Sequence, residues 1–233
     1  MSLRARGPVV FVHVALLLGA VVAPAPAQKL SFSAAASASW AKNSVMLLGY
    51  REAVEGPWVG GAAEGKLGPF VLRLEAFRGT LKPQTGGSAL ERDGGEVRGT
   101  IRLEPVAAGW LGLESGYAVR AFSSAAGYQR WTIPTFGVRV SPRLGHRALR
   151  GYLSGHYAPP LAQKSLFAGQ SSGGAIWNLG LMAEAGLVIA PVRGGPLLGI
   201  RYHFERFDFP NGAAGRLDQF EQVAVFGGFR VGR

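Results

Sequence analysis

From Leu30 almost to the C-terminus, apolar side chains recur at every second position, in one segment after another. Strict period-two alternation means β-strands with two chemically different faces, because successive side chains of a strand point to opposite sides of the sheet. Leu30, Phe32, Ala34, Ala36, Ala38 and Trp40 alternate with serines and Ala35, and Phe70, Leu72, Leu74 and Ala76 alternate with Arg73 and Glu75. Val97, Gly99, Ile101 and Leu103 face away from Glu96, Arg98, Thr100, Arg102 and Glu104. Leu111, Leu113, Tyr117 and Val119 oppose Glu114 and Arg120, and Phe136, Val138 and Val140 oppose Arg139. The same rhythm runs through residues 149–157, 177–189, 198–205 and 223–231.

The connections have a rhythm of their own. Short Gly- and Pro-bearing turns fall at 65–69, 104–107, 141–147 and 190–196. Between them lie longer polar or glycine-rich stretches, at about 42–56, 80–95, 123–130, 158–175 and 210–218. Ten strands follow, with both chain ends on the short-turn side. Val45–Tyr50 and the glycine-rich Trp58–Glu64 are ambiguous, so eight or twelve strands stay open. The 35 glycines suit turns and close strand packing better than helix interiors.

Residues 1–27 read as a secretory signal peptide: Arg4 and Arg6, an apolar Val9–Ala20, and Ala25-Pro26-Ala27 as a small-residue cleavage site. The mature domain is then 28–233. Loss of Arg4 and Arg6 takes the net charge from +11 to +9. That basic balance does not point to nucleic acid, because the arginines are spread along the strands rather than gathered in a patch. After the N-terminus no run of about 20 apolar residues exists to form a transmembrane helix. With no cysteine there is no disulfide, thiolate metal site or lipid-anchor cysteine.

Alternation alone does not separate a membrane barrel from a soluble one. Three features favour the membrane. The apolar sides run about nine to thirteen residues, close to a bilayer-crossing strand. The opposite sides carry Arg and Glu in place of the lysines usual on a soluble exterior, and Arg suits a crowded ionic interior because it pairs carboxylates bidentately. Aromatic residues fall near strand ends: Trp40, Trp131, Tyr157, Trp177 and Phe204 toward the long loops, Phe70, Trp110 and Phe229 toward the short turns. Two such girdles suit a membrane's two interfaces.

In these patterns residues 28–233 resemble the small bacterial outer-membrane β-barrel proteins. The resemblance implies an all-β, antiparallel, up-and-down transmembrane barrel, held in outer-membrane lipid and placed there by the barrel-insertion machinery. Proteins of that class usually end in an aromatic residue; here Phe229 and Val231 carry the alternation and the chain closes on Gly232-Arg233. A monomer is expected, without cofactor, metal or nucleic-acid partner.

The predicted lumen-facing ionic set is Arg73, Glu75, Arg98, Arg102, Glu114, Arg120, Arg139, Arg150, Glu184, Arg201, His203, Glu205 and Arg230. A ten-stranded barrel is narrow, so these side chains should fill it and pair across it. Counting Glu96 and Glu104 as well, inward arginines exceed glutamates by eight to six, so any residual pore should prefer anions. A function of structural, surface-interaction or narrow-pore type follows. Two alternatives remain. An outer-membrane enzyme acting on lipid or peptide at the outer rim would use His156 with Ser154, with His203 and Glu205 a second His pair. A soluble periplasmic barrel binding an apolar ligand would need the apolar faces turned inward.

Overall fold

The computed structural model describes residues 30–47, 50–84, 90–105, 110–125, 127–142, 144–145, 148–159, 162–167, 170–171, 179–190, 194–209 and 216–232. The predicted signal segment, 1–27, and Trp177 lie outside these residues. The strands are β1 (Leu30–Leu47), β2 (Tyr50–Leu67), β3 (Phe70–Pro83), β4 (Arg92–Leu103), β5 (Leu111–Ser124) and β6 (Gly127–Val140). They continue with β7 (Leu149–Tyr157), β8 (Ala162–Phe167), β9 (Gln170–Ser171), β10 (Leu179–Ile189), β11 (Gly195–Phe209) and β12 (Arg216–Gly232).

Ten of these strands form the wall, each antiparallel to its neighbours, in the order β5-β4-β3-β2-β1-β12-β11-β10-β7-β6. The ring is closed: β1 pairs with β12 from Ser31↔Gly232 to Leu47↔Arg216, and β5 pairs with β6 to join the two ends of that order. Closure gives each wall strand a paired neighbour on both sides among the described residues, the condition for crossing hydrocarbon with strands. The remaining strands, β8 and β9, are an excursion between β7 and β10. β8 lies on β6 at Gln129–Thr132, above the point where β7 stops, and β9 pairs with β8. On the rim with the chain ends, β2 turns into β3 over two residues, Gly68 taking the left-handed φ of 58° that favours glycine.

The apolar side faces outward. Leu72, Leu74, Val97, Ile101, Leu113, Phe136, Leu153, Leu187, Ile200, Val225 and Phe229 are all exposed on the wall, while the alternate positions are buried or half-buried. A continuous band of this kind far exceeds the apolar patches that soluble monomers present. The soluble alternative required these faces inward, and the structure turns them the other way. Leu74 is midway up the band and 53% exposed. Leu74→Arg should therefore cost about 2–4 kcal/mol of folding free energy in lipid. Urea titration in vesicles measures it, and an unchanged midpoint would mean that this wall does not meet hydrocarbon.

Several strands are longer than the sequence suggests. The expected loop at 42–56 is wall almost throughout: β1 runs on to Leu47 and β2 starts at Tyr50, with Leu47 opposite Tyr50. The expected loop at 123–130 is a tight turn, Ser124 pairing with Gly127. Eighteen residues at about 3.3 Å each, tilted about 40°, stand about 45 Å tall, whereas the apolar band of such barrels is about 25 Å. The upper wall therefore extends well beyond the band. There the chemistry of the two faces changes over: Lys42, Glu55, Arg78, Arg130 and Arg206 point outward, and Ala41, Val54, Phe77, Trp131 and Phe207 point inward. Alternation persists with its phase reversed, and for that reason it looks broken in the sequence.

Candidate functional site

Among the described residues the lumen brings chemistry-bearing side chains together, and it has two layers. The layer nearer the chain ends is ionic. Arg98 on β4 donates to Glu205 on β11 at 3.0 Å and to Glu96 at 2.6 Å. Arg120 on β5 grips Glu205 with both terminal nitrogens, Nη1 to Oε2 at 2.6 Å and Nη2 to Oε1 at 2.8 Å. It also hydrogen-bonds Glu96. Arg201 on β11 reaches Glu75 on β3 at 2.5 Å, and Arg73 holds the same carboxylate oxygen at 2.8 Å. β4 and β11 lie five strands apart in a ring of ten, so these pairs cross the barrel from wall to opposite wall.

Histidines join the groups. His203 Nε2 lies 2.6 Å from Glu205 Oε1, and its Nδ1 lies 3.6 Å from Glu184. His156 Nε2 lies 2.8 Å from Glu114 Oε2. Arg139 is held more loosely, 3.8 Å from both Glu114 and Glu184, with its guanidinium 3.8 Å over the Tyr152 ring. Arg102 links Glu114 at 3.3 Å to Glu104 at 2.8 Å, near the rim of the chain ends. There Lys66 closes the chain of contacts on Glu104. Burial alone would raise the Glu104 carboxyl; the Lys66 hydrogen bond and the Arg102 charge outweigh it and hold it below the usual carboxylate range.

This network forms because β1 makes room for it. Its inward side chains over the lower wall are Ser31, Ser33, Ala35, Ser37 and Ser39, and β12 adds Gly228 and Ala224. Long Arg and Glu side chains from the other strands extend into that space. Desolvating this much charge is costly unless every ion is paired and hydrogen-bonded, and the bidentate Arg120–Glu205 pair shows how the cost is met.

The second layer, toward the loops, is apolar. Trp58, Phe122 and Phe220 pack with Ala41, Val54, Phe77 and Leu81; the Trp58 ring centroid is 5.4 Å from Phe220 and 6.2 Å from Phe122. Gly79 and Gly94 form the floor under the indole, where an added Cβ would collide with the Trp58 ring. Beside it Trp131 stacks edge-on to Phe207 at 5.1 Å, among Ala118, Ile133, Ala158 and Met182. Cation–π contacts join the layers: Arg120 lies 3.9 Å over Phe220 and Arg201 5.2 Å over Phe77. Above both layers Arg92 pairs with Glu52 at 2.6 Å and hydrogen-bonds Asn43 at 3.2 Å.

Eleven of the thirteen predicted lumen residues meet in this network. The other two are at its margin: Arg150 is exposed at the lower end of β7, and Arg230 is half-buried near the end of β12. Both are on the inward side but beyond the depth where the wall encloses them. Glu64 joins the network by its 3.9 Å approach to Arg102.

Among the expected interface aromatics, Trp40, Trp110, Tyr157 and Phe229 are exposed on the outside and Phe70 and Phe204 partly so. Trp131 is corrected: it points inward and is 3% exposed. The residue is at the level where the face chemistry has reversed.

His156 is also displaced from its expected place. β6 pairs with Tyr157 at Phe136 and then climbs nine more residues to Gly127, so the end of β7 is deep in the barrel rather than at the outer rim. Ser154 is buried beside His156 on the lumen wall, but no hydrogen bond joins the two among the described residues. The described residues include no cluster of three metal-ligating side chains. The apolar plug of Trp58, Phe77, Phe122, Phe207 and Phe220 is what sequence reasoning missed. Its only signal was large apolar residues falling on the wrong parity beyond each apolar run.

No protein-family model matches this sequence, and no curated protein matches it. Solved structures do match by shape. The outer-membrane protease OmpT from Escherichia coli aligns with a TM-score of 0.53 over 90% of this chain and 99% of that one, at 11% identity. The translocator domain of the autotransporter NalP from Neisseria meningitidis aligns with a TM-score of 0.44 over 84% and 88%, at 13% identity. The chain has the fold of the bacterial outer-membrane β-barrels: a closed, ten-stranded, antiparallel, up-and-down barrel.

Proposed function

We propose that this chain is an integral outer-membrane protein whose barrel is closed to solutes, and that its role is structural or one of surface interaction. On this reading residues 1–27 direct export and are removed, and the barrel-insertion machinery places residues 28–233 as a monomer. The observation that carries it is the filled lumen. Ion pairs cross the barrel at Arg98–Glu205 and Arg201–Glu75, and Trp58, Phe122 and Phe220 seal the level above. A barrel of about this strand number has little room beyond its own side chains.

A narrow pore and a rim enzyme are the competing readings. The pore needs a continuous aqueous path, and the aromatic layer stands across it. The enzyme needs a nucleophile or acid–base pair open to substrate, whereas the pairs His156–Glu114 and His203–Glu205 both lie within the lumen. The barrel raises a long, charged upper wall instead, the part suited to contact with other molecules at the surface.

Planar-bilayer recording of the refolded mature protein tests this. The expected result is no stable conductance step at neutral pH. A reproducible step would establish a pore. Fractionation decides location separately: the protein should pellet with outer membranes and shift its apparent mass on boiling.

A further inference from the structure

On the outer wall, four residues of consecutive strands stand in one cross-strand row: Arg78 on β3, Gly95 on β4, Ala121 on β5 and Arg130 on β6. Both arginines are exposed, and neither makes an ion pair with a described residue. Between them the wall is bare, with a glycine and an alanine in place of larger side chains. Below the row the apolar band resumes with Val97, 61% exposed, and Tyr117, 50% exposed. At about 2.5 Å of height per tilted residue, Arg78 is about 20 Å above Phe70 and Arg130 about 25 Å above Val140. Because the strands tilt about 40°, the row climbs about 9 Å from Arg78 to Arg130 and so crosses the upper edge of the apolar band, where acyl chains end and headgroups begin. Three strand spacings of about 4.8 Å put the two backbones about 14 Å apart. Two extended arginine side chains can approach from both sides a headgroup lying over Gly95 and Ala121.

We propose that this row is a binding site for a phosphorylated lipid of the outer leaflet, with Arg78 and Arg130 on its phosphates, Gly95 and Ala121 under its headgroup, and Val97 and Tyr117 against its acyl chains. The inference rests on the outer-membrane reading above and specifies which lipid chemistry the wall selects. Guanidinium groups suit it because their planar forks meet phosphate oxygens two at a time. The carboxylate beside the row, Asp93, is turned to Thr80, which donates to it at 2.7 Å. Glu91 and Lys82 are higher on the wall, Lys82 opposite Glu55, and do not enter the row.

The test titrates the refolded, detergent-solubilised barrel with three probes: bisphosphorylated lipid A, phosphatidylglycerol and inorganic phosphate. Lipid A should bind at one site, and Arg78→Gln with Arg130→Gln should weaken it about tenfold or more, the scale of losing charge-assisted hydrogen bonds. Gly95→Leu keeps both charges and should also weaken it, because its side chain would occupy the floor. A Cβ there meets nothing closer than 3.5 Å, so the wall itself tolerates the change. Arg51→Gln, far above the row, should leave affinity unchanged. Equal binding of phosphatidylglycerol, binding of inorganic phosphate alone, or an equal loss on Arg51→Gln would overturn the site. A boiling-dependent mass shift checks that each variant is folded. If the protein fractionates with outer membranes yet fails to bind lipid A, this inference alone fails. If it fractionates with the periplasm, the membrane reading fails with it.

Discussion

Glu205→Ala is expected to destabilise the barrel by about 3–5 kcal/mol, the range for removing one partner of a buried ion pair. Glu205 is fully buried and accepts from Arg98 at 3.0 Å and twice from Arg120, at 2.6 and 2.8 Å, with His203 Nε2 at 2.6 Å from the same carboxylate. Without it, two guanidiniums face each other in a closed lumen with Glu96 as the carboxylate still hydrogen-bonded to both. The urea midpoint of the refolded protein in vesicles measures the loss. Adding Arg120→Leu to Glu205→Ala should restore part of the stability, because the stranded cation is then gone. The double-mutant cycle would show strong coupling between the two sites. Additive losses would mean that the cross-barrel pair is not what fixes the lumen.

Trp58→Ala should cost a similar amount, about 3–5 kcal/mol, by leaving a cavity where the indole was. The side chain is 1% exposed and joins the aromatic rings of β5 and β12 across the upper lumen. Collapse cannot fill the gap easily, because Gly79 and Gly94 provide no side chains to move into it. The variant also removes the widest group of the plug, so bilayer recording should show brief conductance events that the parent protein lacks. The reverse change tests the same packing: Gly94→Ala would place a Cβ 2.7 Å from Trp58 and 2.8 Å from Phe122, closer than real contacts allow. Stability unchanged by either substitution would show that the indole does not fill this space.

Much of the wall was legible from residue order. In the lower barrel the solvent on each side differs sharply, lipid outside and an ionic lumen inside, so parity alone assigns every face. Arg73 and Glu75, Arg98 and Arg102, and His203 and Glu205 could be placed inward for that reason. Their partners could not. Pairing of Arg201 with Glu75, 126 residues away, depends on the order of strands around the ring and the stagger between them. Nor could depth be read: His156 looked like a rim residue because β7 ends one residue later, yet the neighbouring β6 climbs far above it.

The sequence by itself determined a two-faced antiparallel wall, its approximate strand number, and which side of each lower strand is polar. Those are local properties, set by period-two geometry and the chemistry of alternate side chains. The tertiary structure decided where the faces exchange roles. Above the apolar band the outside meets water and the closing ring encloses its own side chains, so Trp58, Trp131 and Phe207 turn inward while Arg78 and Arg130 turn out. The strand's geometry is unchanged across that boundary; only its surroundings differ, and ring closure, tilt and height above the band determine them.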